Sequence, residues 1–293
     1  MMGTIKMRLL SIALLLSAST LHAMDWPSLD GTMVSNFGWN DRGTPALGVS
    51  FSSVGSVHTA DDGELLFAQN SSNTASNLPE PLGTWIAVDH GDLISIYSRL
   101  DDKQSEELFD ALPKRIPKNT AIGMAGRSGW TRLNGFHFSL FDRKDRRWVN
   151  PAMIMTPLPD TRPPIIRSLL LKDSDGQVLG ASQTSIAQGR YTIVVDVTDT
   201  LTSPSDPVLA PHRIVCTMNG SEVGELTFET YSARDGMLMV YRNGLVPVKQ
   251  VYALAPFYEV GEALFTRGQV TLEIIAYDIA GSAQSVVYRF AVE

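Results

Sequence analysis

Cysteine is nearly missing: among 293 residues there is one, Cys216. That excludes an intramolecular disulfide and every multi-cysteine zinc site, so any core is held by packing alone. Excess positive charge is missing as well. Lys and Arg number 24 against 31 Asp and Glu, a formal charge of −7, and this balance excludes a general binder of phosphate backbones. No nucleic-acid partner is expected. The chain also contains no GxSxG, no phosphate-loop glycine pattern and no HExxH, so three common catalytic frameworks are ruled out.

What is present begins with a targeting pattern. Lys6 and Arg8 precede the apolar run Leu9 to Leu16 and a small and polar stretch ending Leu21-His22-Ala23. This reads as a cleaved export signal over residues 1–23, because the apolar core falls short of the ~20 residues that span a bilayer; a retained membrane helix is the alternative. No cysteine follows the run to carry a lipid, and no transmembrane anchor is expected after cleavage. Losing Lys6 and Arg8 moves the charge from −7 to −9. The expected product is a soluble acidic protein of the periplasm or cell envelope.

The remainder, with 44% hydrophobic residues across the chain, is rich enough for buried cores. It breaks at Pro157-Leu158-Pro159-Asp160-Thr161-Arg162-Pro163-Pro164, where consecutive prolines impose extended, semi-rigid backbone. Domains are therefore expected at 24–157 and 165–293, joined by a linker at 158–164. Both read as β, so the fold class is all-β. In Phe136-His137-Phe138-Ser139-Leu140 the aromatics share one face and His137 the other. One helix is expected at Ser105 to Leu112, capped by Ser105 and stopped by Pro113. After the seam, Tyr191, Ile193, Val195 and Val197 alternate, as do Val270, Leu272, Ile274 and Ala276. A compact turn at Asp278 to Ser282 leads to a last alternating run, Val286 to Val292. Such strands predict an antiparallel sandwich of immunoglobulin-like type, although its Cys and Trp signature is missing.

The first half resembles a known family. Val34-Ser35-Asn36-Phe37-Gly38-Trp39, Gly48-Val49-Ser50-Phe51, Val57-His58-Thr59-Ala60-Asp61-Asp62-Gly63-Glu64-Leu65, Val88-Asp89-His90-Gly91-Asp92, Tyr97-Ser98-Arg99-Leu100, Ile122-Gly123-Met124-Ala125-Gly126, Phe136-His137-Phe138-Ser139 and Val149-Asn150-Pro151 follow one another. This series is similar to the LytM or lysostaphin-type zinc endopeptidase domain, whose active members cut peptide crosslinks in bacterial cell walls. The resemblance implies a LytM-type antiparallel sheet domain. It also implies five functional places. Two zinc ligands of the family's HxxxD pattern align with Ala46 and Ser50; the HxH pair aligns with Gly135 and His137; the histidine of Tyr-x-His-Leu aligns with Arg99. Only His137 is kept.

One imidazole does not hold zinc against water, since such sites need three protein ligands and an open place. Arg99 stays protonated and is no general base. The expected protein is thus catalytically inactive, with no metal and no cofactor. Its vestigial groove of Ala46, Ser50, Arg99, Gly135 and His137 would bind a peptidoglycan stem peptide or a cell-wall hydrolase, with Arg99 and His137 as the ligand-binding candidates. Two alternatives are an active zinc endopeptidase that recruits Asp41, Asp61, Asp62, Asp89 or Asp92, and a structural scaffold whose groove is filled by Trp130, Phe136 or Phe138. His58 is expected to be exposed at the surface, His212 to be incidental, His90 a turn residue, and Asp142 to Arg147 a solvated hairpin tip.

Overall fold

The computed structural model describes residues 23–28, 30–53, 55–73 and 80–293; the expected export signal falls almost wholly outside them. The first half is an antiparallel sheet. Its strands are β1 (Thr32–Ser35), β2 (Val49–Ser52), β3 (Gly63–Gln69), β4 (Thr84–Asp89), β5 (Leu93–Leu100), β6 (Gly135–Asp142) and β7 (Arg147–Val149), with α1 (Asp102–Ala111) between β5 and β6. The spatial order is β1-β2-β6-β5-β4-β3, and β7 folds back on the far end of β6 as a hairpin. Alternation in β6 buries Phe136, Phe138 and Leu140 against Val49, Phe51, Ile86 and Tyr97. That leaves His137 on the opposite side of the strand.

The helix starts earlier than its sequence signals indicate. Asp101 is the N-cap, its carboxylate accepting from the Gln104 amide at 2.9 Å. Ser105 is instead buried, and its hydroxyl accepts from the Met124 amide at 3.2 Å. A carboxylate serves both the unpaired amides and the dipole of the first turn, so Asp101 outcompetes the hydroxyl four residues later. Phe109 and Leu112 turn the helix onto the sheet core.

The second half contains β8 (Ile165–Lys172), β9 (Gly189–Thr198), β10 (Arg213–Met218), β11 (Ser221–Arg234), β12 (Met237–Arg242), β13 (Tyr258–Phe265), β14 (Gly268–Tyr277) and β15 (Ala283–Val292). One antiparallel group runs β8-β9-β13 and the other β15-β14-β10-β11-β12. The alternating residues of β9 and β14 point into one shared core. Asp278 closes the turn as expected, accepting from the Ser282 amide at 2.8 Å.

The halves are stitched together in two places. β7 pairs with β11, setting Trp148 opposite Tyr231. The segment after β1 also leaves its own half: Phe37 is fully buried in the core of the second half, 4.9 Å from the ring of Tyr231. The carbonyl of Gly38 accepts from the Tyr252 hydroxyl at 2.8 Å, and Tyr252 is itself bonded to Tyr231. Asn36 is locked from both ends, donating to Ala210 O at 2.8 Å and accepting from Ala210 N at 2.7 Å.

Gly38 has φ +86°, and a Cβ there would lie 2.7 Å from the ring of Phe228. Gly38→Ala therefore adds steric conflict to left-handed strain, a loss of about 2–4 kcal/mol in urea unfolding. Gly91→Ala is the control. Its φ is +96° but nothing lies within 4 Å of the new methyl, so only the strain of about 1 kcal/mol is expected.

Candidate functional site

Three local devices gather the groove. The first is the hairpin after the Phe37 anchor, where Asn40 pairs with Pro45 and Asp41 with Thr44. Its tip, Arg42-Gly43, has φ of +53° and +91°, the primed-turn geometry that matches the twist of paired strands. It delivers Asp41, Arg42 and Ala46 to the groove wall. The second is the register of β2 on β6, which sets Ser50 directly opposite His137.

The third device is a bulge. β4 and β5 are in register at Thr84 with Leu100 and again at Ile86 with Tyr97, so Ser98 and Arg99 together face Trp85. Arg99 takes φ +67°, a left-handed backbone that costs an arginine on the order of 1–3 kcal/mol. Bulges re-aim side chains, and this one turns Arg99 into the groove. The strain is offset by the Arg99 amide, which donates to Leu82 O at 2.8 Å.

Within the groove, Nη1 of Arg99 donates to Ser50 Oγ at 3.4 Å, and Ser50 Oγ lies 3.0 Å from His137 Nδ1. The hydroxyl thus bridges the guanidinium and the imidazole, with the direction of its bond to Nδ1 set by the histidine tautomer. Burial pushes the His137 pKa down to about 3, and the Arg99 charge adds to the shift. Such an imidazole is too weak a base to activate Ser50 at neutral pH, so the pair is not a nucleophile and its base. Burial also lowers the Arg99 pKa, with Asp41 opposing, but arginine stays charged.

Four of the five expected residues thus converge: Ala46, Ser50, Arg99 and His137 line one groove of about 590 Å³. Gly135 does not line it. It is buried beneath, where a Cβ would collide with the Phe51 carbonyl oxygen, so no longer side chain fits there without moving β2. Phe136 and Phe138 are core residues and do not fill the groove. Trp130 stands at its rim, 69% exposed. The sequence reading missed the cationic rim: Arg42 and Arg132 are exposed at the same groove, and the Arg42-Gly43 turn was the available signal.

The donor set does not fit zinc. His137 Nδ1 is taken by Ser50, an arginine stands beside both, and among the acids invoked as substitutes only Asp41 reaches the groove. Asp62 and Asp89 line a separate cleft with His90. Among the described residues, no group of three or more His, Cys, Asp or Glu comes together in a way that could hold a metal. His90 ties its turn, Nδ1 lying 2.7 Å from Asp62 O and Nε2 2.7 Å from Ser95 Oγ. His58 is half-buried in a short strand rather than free at the surface.

A family model of an uncharacterised family matches residues 163–293. No curated protein matches the chain. Among solved structures, it is similar to the catalytic domain of the prophage-encoded M23 protein EnpA from Enterococcus faecalis, at 18% identity over 44% of this chain and 94% of that one, TM-score 0.34. A zinc-containing peptidase from Vibrio cholerae shares 18% over 47% of this chain and 41% of its own, TM-score 0.35. The antimicrobial peptidase lysostaphin from Staphylococcus simulans shares 13% over 75% and 86%, TM-score 0.34. The chain spans less than half of the Vibrio cholerae peptidase.

The titration of His137 follows from its surroundings. Its pKa in the folded chain, about 3, lies below the ordinary 6.5, so the unfolded chain binds more protons between those values. This histidine's contribution to stability is complete above about pH 6.5 and is lost as pH falls toward 3. Nitrogen-15 NMR is expected to show a neutral imidazole from pH 8 to pH 5.

Proposed function

We propose that this chain is a noncatalytic relative of the LytM-type wall peptidases. It is exported to the periplasm or cell envelope, where its groove binds a carboxylate of a peptidoglycan stem peptide. The reading is carried by one observation: Arg99 enters the groove on a strained bulge and stands over Ser50, where a metal-binding relative would place a ligand. Three guanidinium groups, from Arg42, Arg99 and Arg132, face this groove against the single carboxylate of Asp41. A guanidinium offers paired donors to a carboxylate, while neutral His137 adds no charge. Trp39 and Trp130 supply flat apolar surface for a peptide backbone or sugar face. In this reading the second half is an immunoglobulin-like module that holds the groove wall in place.

A wall hydrolase is the other partner this groove fits, because an acidic side chain on a protein presents the same carboxylate. An active zinc peptidase is disfavoured by the donor set.

Co-sedimentation with purified sacculi tests the proposal. Wild type is expected to bind, and Arg99→Ala to bind about 10- to 100-fold more weakly, the value of a charge-assisted hydrogen bond. Arg99→Lys recovers part of that loss. Binding that is indifferent to Arg99 overturns the role of the groove. A chelator-sensitive clearing zone on wall material overturns the noncatalytic reading.

A further inference from the structure

Behind the groove, on the other side of β1 and β2, a cavity of about 130 Å³ lies between the two halves. Its apolar wall includes Met33, Val49, Leu201 and Leu209, while Asp160, Asp199 and His212 line it with polar atoms. These come from the linker, the end of β9 and the start of β10, and Asp278 of the turn after β14 stands close enough to act electrostatically on all three. Two of the carboxylates are hidden from water, Asp199 at 5% exposed and Asp278 at 2%, and Asp160 is half-buried with its Oδ2 atom buried.

Each acid uses one oxygen locally. Asp160 Oδ1 accepts from the Arg162 amide at 3.3 Å, Asp199 Oδ1 from the Thr200 amide at 2.8 Å, and Asp278 Oδ1 from the Ser282 amide at 2.8 Å. Among the described residues, Asp160 Oδ2, Asp278 Oδ2 and His212 Nδ1 are buried without any hydrogen-bond partner. Among the described residues no ion pair reaches the three acids either. Arg162 turns its Nε to Thr200 Oγ1 at 3.2 Å, Arg213 pairs with Glu225 at 2.7 Å, and His212 Nε2 faces Glu229 at 3.9 Å. Buried carboxylates without a counter-charge are costly, and structures retain them where something supplies the charge.

We infer that this cavity binds a primary ammonium group on a short aliphatic stem, the ammonium held by Asp160 and Asp199 with Asp278 behind, and the stem lying on the apolar wall. An ammonium brings three donors and one positive charge, and an alkyl stem of a few carbons fits the volume and the lining. A divalent metal fits less well. It demands six or more oxygens, and no metal-holding group of three such side chains exists among the described residues. The cavity is separate from the groove and does not rest on the function proposed for it.

The acids add a pH signature. Burial first, then Asp160 and Asp278, raise the Asp199 pKa to about 7. With the folded value above the unfolded one, stability from this group is complete below about pH 4 and is lost as pH rises through 7. A bound ammonium reverses that loss, so its affinity rises with pH.

NMR titration of the full chain with 1,5-diaminopentane and with Nα-acetyl-lysine amide tests the inference, alongside pentan-1-ol and calcium chloride. Saturable shifts at Leu209 and Asp199 with either amine, about tenfold tighter at pH 8 than at pH 6, support it. The diamine alone points to a free polyamine; the lysine amide points to a peptide or protein side chain. Asp199→Asn abolishes the response. So does Ala280→Trp, which adds an indole to a cavity-lining residue on an exposed turn, the unchanged amide spectrum elsewhere reporting the fold. No saturable response to either amine, an equal response to pentan-1-ol, or a calcium response removed by Asp199→Asn overturns the inference.

Discussion

The structure depends on Phe37 and Gly38 leaving their own sheet to anchor in the core of the other half. Phe37 is completely buried there, and Gly38 presents its carbonyl to a cluster of three tyrosines. Tyr231 and Tyr252 bond each other, and the Gly38 carbonyl takes the Tyr252 proton, which would otherwise be buried unpaired at a cost on the order of 1–3 kcal/mol. The contact therefore satisfies the second core as much as it fixes the first. Asn40 extends the seam, donating to Phe257 O at 3.0 Å. The hairpin that carries Asp41, Arg42 and Ala46 begins at this anchored point, so the position of one groove wall is set by packing in the other half.

That arrangement gives the groove its chemistry. In a zinc site the decisive groups are electron-pair donors converging on one point. In this groove the converging groups are mostly donors of hydrogen: the Arg99 guanidinium and two further arginines at the rim. The inversion is consistent along the strands. His137 Nδ1 is hydrogen-bonded to Ser50 Oγ. Where Gly135 lies under the Phe51 carbonyl, the backbone has closed over the place of a side chain. The groove collects positive charge, and the backbone strain at Arg99 is sustained because β4 and β5 hold both flanks of the bulge in register.

Much of this was legible in the residues. The alternation of Phe136, His137 and Phe138 was enough to put the histidine on the groove side, because a strand's period of two leaves no other choice. The Asp278 turn followed from glycine and aspartate spacing, and the convergence of Ala46, Ser50, Arg99 and His137 from family resemblance. Other features were invisible for physical reasons. Phe37 reads as an ordinary core residue, and nothing local reveals that its core lies some 190 residues further along in Tyr231. The start of α1 differs from its sequence signals because Asp101 and Ser105 are both good caps, and only the burial of Ser105 against the short strand ending at Met124 decides between them. The acid cavity gathers Asp160, Asp199 and Asp278 from three distant turns, and tertiary packing alone brings them together.

The groove and the cavity are two faces of the same thin wall. In and just after β1, Met33 and Asn36 face the cavity while Val34 and Ser35 face the groove; along β2, Val49 lines the cavity and the next residue, Ser50, lines the groove. Alternation produces the pattern in β2, and in β1 the register shift between Met33 and Ser35 puts two neighbours on one side. The wall is also pinned at Asn36, whose two bonds to Ala210 close one end of the cavity. Close-packed strands do not deform continuously. A shift of Val49 away from Leu209 necessarily carries Ser50 relative to His137 and Arg99, and the hydrogen-bond chain that defines the groove's charge pattern is drawn across that one strand.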